Sequence, residues 1–292
     1  MPKAMQVASL ATSPKSFVES LGPVFAVFDG RTQDSGHVSY GVEVNGRRWF
    51  VKTAGEPVVA PGASFGPQGR TSPGLSFAQR CERLGNAALL WRTCPRRPLV
   101  TLHHVIDAAS WGPVLIYEWV DGQVLYDVSQ RRNLPSSAHW RFGALPLQER
   151  LLALGEVLNL HLTLSSLGWV ASDFYDGALM YDFKARTIHV MDLDLYHQGP
   201  FENQMGRLWG SSRFMAPEEK TLGAVIDERT TVFVMGRLLK VFVLDVAQGE
   251  QGAPEALVNL VGKACASKPT DRYASMEALW DAWRAAMVDL EG

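Results

Sequence analysis

Apolar and polar positions change rhythm along this chain, and the changes predict its elements. Over residues 25–53 they alternate with a period of two. VFAVFDG reads as a strand ending in a turn, SGHVSYGVEVNG closes on Asn45-Gly46, a strong hairpin signal, and RRWFVKTA returns as a third strand. Residues 55–74 are rich in Gly, Pro and Ser and have no period, which predicts a loop. LSFAQRCERLGNAALLWR then takes helical spacing, with Phe77, Leu84, Ala88 and Trp91 on one face and Gly85 as a weak point. PLVTLHHVIDAA and GPVLIYEWVDG read as two further strands. Residues 1–20 read as a polar lead-in.

From about Asp121 the texture changes. LQERLLALGEVLNLHLTLSSLG predicts an apolar helix of about 20 residues. A strand pair over residues 173–192 follows, then an irregular segment up to Pro217. TTVFVMGRLLKVFVLDVA, APEALVNLVGKACA and SMEALWDAWRAAMV predict three closing helices, and no internal repeat is visible. The fold class expected is α+β, with a lead-in over 1–20, a small β-rich lobe over 21–120 and a mainly helical lobe over 121–292.

Composition narrows the function. The 292 residues are 47% hydrophobic, enough to bury a full core. A net charge of −2 gives no basic surface for nucleic acid. The N-terminus is too polar for a secretory signal, no apolar run is long enough to span a membrane, and Cys81, Cys94 and Cys265 lack metal-ligand spacing. These features lead to the expectation of a cytoplasmic protein with reduced thiols and neither a nucleic-acid nor a membrane partner.

The candidate chemistry lies in GWVASDFYDGALMYDFKARTIHVMDLDLY, residues 168–196, where a strand pair separates Asp173 from Asp192. Phosphoryl transfer needs one carboxylate to position the attacking hydroxyl and another to hold Mg²⁺ on the nucleotide. The segment resembles the catalytic loop and metal-binding strand of protein kinases, whose pattern is HRD, four residues, Asn, then DFG. Asp173 falls on the catalytic aspartate and Asp192 on the aspartate of DFG. Ala171 and Ser172 stand for His and Arg, and Ala178 for the asparagine. Asp192 and Asp194, two apart on an extended segment, are expected to project to one face as metal ligands, with Asp176 as a second candidate for the ligand missing at Ala178.

Other segments extend the resemblance over residues 25–287. Lys52 in WFVKTA resembles the lysine that contacts the α- and β-phosphates. Gly36 and Val38 would cover phosphates and base, although Gly30, Gly36 and Gly41 are too widely spaced for the usual glycine-rich loop. VLIYEWVDG resembles the hinge, with Tyr117 as gatekeeper and the backbone of Glu118 and Val120 meeting adenine. Ala87 stands where the family pairs its lysine with a glutamate, and Asn86 is adjacent. GSSRFMAPEE resembles the end of an activation segment; Ser211 falls on its threonine, and Glu218 would pair with Arg272 of KPTDRY. Thr231 stands where an aspartate usually holds the catalytic-loop backbone, and the interval around 248–254 is too short for the usual docking helix. His161 reads as a core histidine.

The resemblance implies a bilobal protein-kinase-like fold with an ATP cleft between the lobes. It implies an ATP- and Mg²⁺- (or Mn²⁺-) dependent phosphotransferase acting on Ser/Thr hydroxyls. A small-molecule kinase of the aminoglycoside or sugar type and a catalytically dead scaffold are the alternatives.

Overall fold

The structure, a computed structural model, describes residues 1–30, 35–57, 75–126, 132–246 and 253–291. It is α+β, and the described residues form two compact units. One comprises Met1–Pro95 and Val100–Asp121, the other Arg96–Leu99 and Gly122–Gly292. The expected loop over 55–74 lies mostly outside the described residues, as does most of the interval at 248–254.

The first unit is a five-stranded antiparallel sheet with two helices. Its elements are α1 (Pro14–Leu21), β1 (Val24–Phe28), β2 (Val38–Val44), β3 (Arg47–Thr53), α2 (Phe77–Thr93), β4 (Leu102–Asp107) and β5 (Pro113–Glu118), in sheet order β1-β2-β3-β5-β4. Asn45 and Gly46 both take positive φ, as a two-residue hairpin turn requires, and this sets the β2–β3 register. Alternation then sorts side chains between faces. Tyr40, Val42, Trp49, Val51, Val114 and Ile116 pack with Met5, Leu10, Phe17 and Val18 on one side. Leu115 and Leu102 pack with Leu84 and Ala88 of α2 on the other.

The lead-in is therefore part of the core, which corrects the expectation for residues 1–20. Ser13 caps α1 by accepting from Ser16 N, with Pro14 at the first helical position. Leu10 N donates to Asp107 O at 2.9 Å, joining the segment to the edge strand β4. A single eight-residue helix is too short to announce itself by periodicity. In α2, Ser76 and Gln79 form a reciprocal capping box.

The second unit contains β6 (Gln123–Val124), α3 (Ala138–Gly143), α4 (Leu147–Ser166), β7 (Trp169–Val170), β8 (Leu179–Asp182), β9 (Thr187–Val190), β10 (His197–Gln198), β11 (Phe201–Glu202), β12 (Val225–Ile226), α5 (Glu228–Leu239), α6 (Glu255–Ala264) and α7 (Met276–Glu291). The predicted strand pair is β8–β9, with β6 on its outer edge. The apolar α4 is buried along Leu154, Val157, Leu158, Leu160 and Leu164 and packs on α5 and α7. The helix expected over 230–247 is α5 followed by one π turn, Lys240–Leu244. Among the described residues there are seven α-helices, and none is long and apolar enough to cross a membrane.

Candidate active site

In the second unit the loop that carries Asp173 is fixed from both ends. Before it, Val170 pairs with His197, and Ala171 N donates to Thr231 Oγ1 on α5 at 3.0 Å. Thr231 thus holds the loop backbone with a hydroxyl. After it, Leu179 pairs with Val190, and Met191 N donates to Ala178 O at 2.9 Å, immediately before Asp192. Asp173 and Asp192 both take left-handed backbone angles, φ 57° and 61°. Few non-glycine residues do so, aspartate among them. Such conformations persist where the surroundings over-determine them, and they cluster at functional sites.

Beneath the loop stands a neutral pillar. His161 Nδ1 donates to Val157 O at 2.8 Å, so Nε2 is the acceptor for the Tyr196 hydroxyl at 2.5 Å. Burial holds the His161 ring down at about 4, and the ring packs edge-on against Phe174. His161 is a satisfied core histidine, as its place on an apolar helix suggests. Its partner Tyr196 left no separate signal in the sequence.

The stretch after Val190 leaves strand geometry, which alters the expected role of Asp194. Asp192 is exposed while Asp194 is buried, so strand alternation does not place both carboxylates on one face. Ala178 contributes only a buried methyl. Asp176 is also engaged elsewhere. Its buried Oδ2 takes Arg213 Nη1 at 2.7 Å, Arg132 Nε at 3.2 Å and His139 Nδ1 at 3.3 Å. Burial alone would raise the Asp176 carboxyl, but His139 and the two arginines outweigh it and hold it below the usual range. Asp176 is thus a poor substitute metal ligand. No three acidic, His or Cys groups among the described residues converge as a metal cage. A hard divalent cation here would rely on carboxylate oxygens of Asp192 and Asp194 together with phosphate oxygens, a set that suits Mg²⁺.

Residues 210–219 lie against this loop. A Cβ built on Gly210, where φ is +131°, would meet Asp173 Oδ1 at 3.2 Å. Further on, Glu218 and Arg272 form a buried bidentate pair, Nη1 to Oε1 at 2.6 Å and Nη2 to Oε2 at 2.8 Å. Thr230 Oγ1 donates to Glu218 at 2.8 Å, and Arg272 also donates to the carbonyls of Arg229, Ala266 and Ser267. Ser211 is half-buried, and its carbonyl accepts from Phe214 N and Met215 N.

The neighbouring Glu219 is buried and accepts from Ala216 N at 2.7 Å. Burial pushes its carboxyl up to about 7 against that hydrogen bond, and Glu218 adds to the rise. The native state then holds a proton that the unfolded chain, with a pKa near 4.5, has released. Its contribution to stability falls as pH rises through that window. Glu219→Gln keeps the acceptor and removes the titration. The variant's melting temperature relative to the parent is expected to rise by a few degrees between about pH 5 and about pH 8. His161 has the opposite sign in part of the window but is common to both proteins and cancels. A pH-independent difference would defeat this assignment.

In the first unit, Lys52 pairs with Ser39 on one side and Leu115 on the other, on the sheet face that carries α2. Asn86 and Ala87 lie on that helix. Val38 pairs with Thr53 and packs against the opposite core, so its side chain does not share the face of Lys52. Gly36 is buried beside Arg80, whose side chain would touch an added Cβ at 3.2 Å. Arg80, itself buried, donates to Ala54 O, Leu75 O and Glu56 O, and its own carbonyl bonds His37 Nε2. Gly36 is therefore packed against α2, which is not the setting of a free phosphate-covering loop. Tyr117 is half-buried on the α2 face, and Glu118 N donates to Thr101 O at 3.0 Å. Val120 follows, half-buried, outside the strand.

Sequence reading missed Phe50, two residues before Lys52 and on the same face. Its ring lies 5.7 Å from that of Phe28 and 6.3 Å from that of Tyr117, between centroids. Alternation along RRWFVKT carries that signal. Compared with known protein-family models and with characterised proteins, the chain matches none.

Proposed function

We propose that the chain is a protein-kinase-like phosphotransferase of bilobal fold that moves the γ-phosphate of Mg·ATP to a serine or threonine hydroxyl. The observation that carries this reading is the double anchoring of the Asp173 loop and its neighbouring segment. Thr231 holds the loop backbone at Ala171, and Arg272 holds Glu218. That arrangement supports a loop kept rigid for positioning, the main contribution a protein makes to phosphoryl transfer.

In this reading Lys52 binds the α- and β-phosphates, and Asp192, with Asp194, holds the divalent cation, which would supply charge neutralisation on the phosphates. Asp173 orients the acceptor hydroxyl. The acceptor oxygen forms the new bond to the γ-phosphorus, the β–γ bridging P–O bond breaks, ADP leaves with the electron pair, and the hydroxyl proton passes to the Asp173 carboxylate. The setting proposed is cytoplasmic.

A second reading, a nucleotide-poor scaffold, is favoured by the Phe50 ring on the Lys52 face and the methyl at Ala178. One thermal-shift series separates the two. A ligand that binds only the native state stabilises it, so Mg·ATP at about millimolar concentration is expected to raise the melting temperature by a few degrees. Lys52→Met should abolish the rise, and Asp192→Ala its Mg²⁺-dependent part. No shift with Mg²⁺ or Mn²⁺ would reject the enzyme reading. A shift gained only by Phe50→Ala would favour the scaffold.

A further inference from the structure

Next to the Asp173 loop, within the second unit, two guanidinium groups meet one buried carboxylate. Arg132 and Arg213 converge on one oxygen of Asp176, and a single carboxylate cannot neutralise two guanidinium groups. Both arginine side chains remain partly exposed, at 28% and 33%, while Asp176 is fully buried. Arg132 donates through Nε alone and lies over the Tyr126 ring at 3.4 Å; Arg213 donates through Nη1 alone. Among the described residues the remaining N–H groups of both have no acceptor. A third arginine stands nearby. The exposed Arg207 donates to Gly210 O at 3.2 Å and to the exposed Ser212 hydroxyl at 2.9 Å, and Gly210 abuts Asp173.

Two guanidinium groups with N–H groups to spare thus stand on Asp176, three residues from the carboxylate proposed to receive the acceptor hydroxyl, and the exposed Arg207, which also donates to Leu208 O, stands on the Gly210 segment beside it. Asp176 offsets one of the two charges that meet on it, and Asp192 and Asp194 are the carboxylates proposed to hold the cation. His139 is turned toward Asp176 and adds no negative charge. Arginine forks match carboxylate and phosphate oxygens, and the partial exposure leaves room for an incoming anion. Such groups would repel a basic acceptor.

We infer that the acceptor is an acidic peptide segment, with a carboxylate or phosphate close to the reacting hydroxyl, received by Arg132, Arg213 and Arg207. This rests on the phosphotransferase reading for the word acceptor. The binding itself can be measured without turnover, so the two can fail separately.

The test is fluorescence anisotropy of labelled serine-centred peptides on the full chain. The flanking positions carry glutamate, phosphoserine, alanine or lysine. Glutamate or phosphoserine peptides are expected to bind at least about 10-fold tighter than alanine peptides and to weaken as salt is raised, while lysine peptides bind weakest. Whichever acidic arm binds tighter identifies the anion. Arg132→Gln, Arg213→Gln and Arg207→Gln should each reduce acidic-peptide binding by about 5-fold or more. Arg207 is exposed, so its variant keeps the test informative if loss of Arg213 unfolds the protein. Equal binding of alanine and acidic peptides, preference for lysine, or acidic binding unaffected by Arg132→Gln and Arg207→Gln would overturn the inference. The Mg·ATP thermal shift on the same samples reports independently on the phosphotransferase reading.

Discussion

Asp173→Asn is expected to bind Mg·ATP as the parent does and to lose phosphotransfer by at least about 100-fold, the usual scale for a positioned general base. Asparagine keeps the size of the side chain, tolerates the left-handed backbone at this position and can still hydrogen-bond. What it lacks is the charge proposed to accept the proton as the new bond forms. That role belongs to the reaction and leaves nucleotide affinity alone. The measurement is phosphate incorporation by mass spectrometry beside a nucleotide thermal shift. An active parent with an equally active Asp173→Asn would show the catalytic loop to be misassigned. A parent that binds nucleotide yet transfers nothing to itself, to protein acceptors or to aminoglycosides would strengthen the scaffold reading.

The largest expected stability effect is at Arg272. Removing it leaves Glu218 buried beside Thr230 with no counter-charge and deprives the carbonyls of Arg229, Ala266 and Ser267 of their donor. Breaking a buried pair from one side costs about 3–5 kcal/mol. Arg272→Ala should therefore lower the denaturation midpoint far more than a surface change such as Arg284→Ala. The pair should also fail in acid. Burial alone would raise the Glu218 carboxyl, but the Arg272 hydrogen bonds prevail and hold it below the usual range. The pair's contribution is present above the unfolded pKa and is lost as pH falls through the lower folded value. Urea melts at neutral and acidic pH would show whether the parent's advantage over Arg272→Ala shrinks in acid, and a constant advantage would count against this account.

Much of the fold was written in local chemistry. Asn45-Gly46 fixed a hairpin, and the long apolar runs fixed α4 and α5, because turn geometry and burial are short-range demands. The same hairpin also set its own register. A two-residue turn pairs Lys52 with Ser39, and alternation then assigns Phe50 to the Lys52 face and Val38 to the other. Val38 does not share the face of Lys52, because strand parity decides the face whatever the order of motifs. The lead-in helix escaped because eight residues show barely two turns. The shared face expected for Asp192 and Asp194 is absent for a different reason. Their alternation assumed an extended backbone, whereas Asp192 sits at φ 61° and breaks the period. Asp176 could not be foreseen as an arginine anchor, since Arg132, His139 and Arg213 arrive from elements up to 44 residues away in sequence. By contrast, Glu218 and Arg272, 54 residues apart, were suggested by motif resemblance and meet in the structure.

The hydroxyl of Thr231 has one further consequence. A neutral hydrogen bond contributes about 0.5–1.5 kcal/mol, against about 1.5–3 for one to a charged group, so this tether is a soft one. It also carries no proton that acid can add and no charge that salt can screen. A carboxylate at the same place would loosen its grip on the Ala171 amide on titration, and the acid limb of a rate profile would then mix the tether with the chemistry. If the protein is the phosphotransferase proposed above, its acid limb is free of that contribution and reports more directly on Asp173 and Asp192.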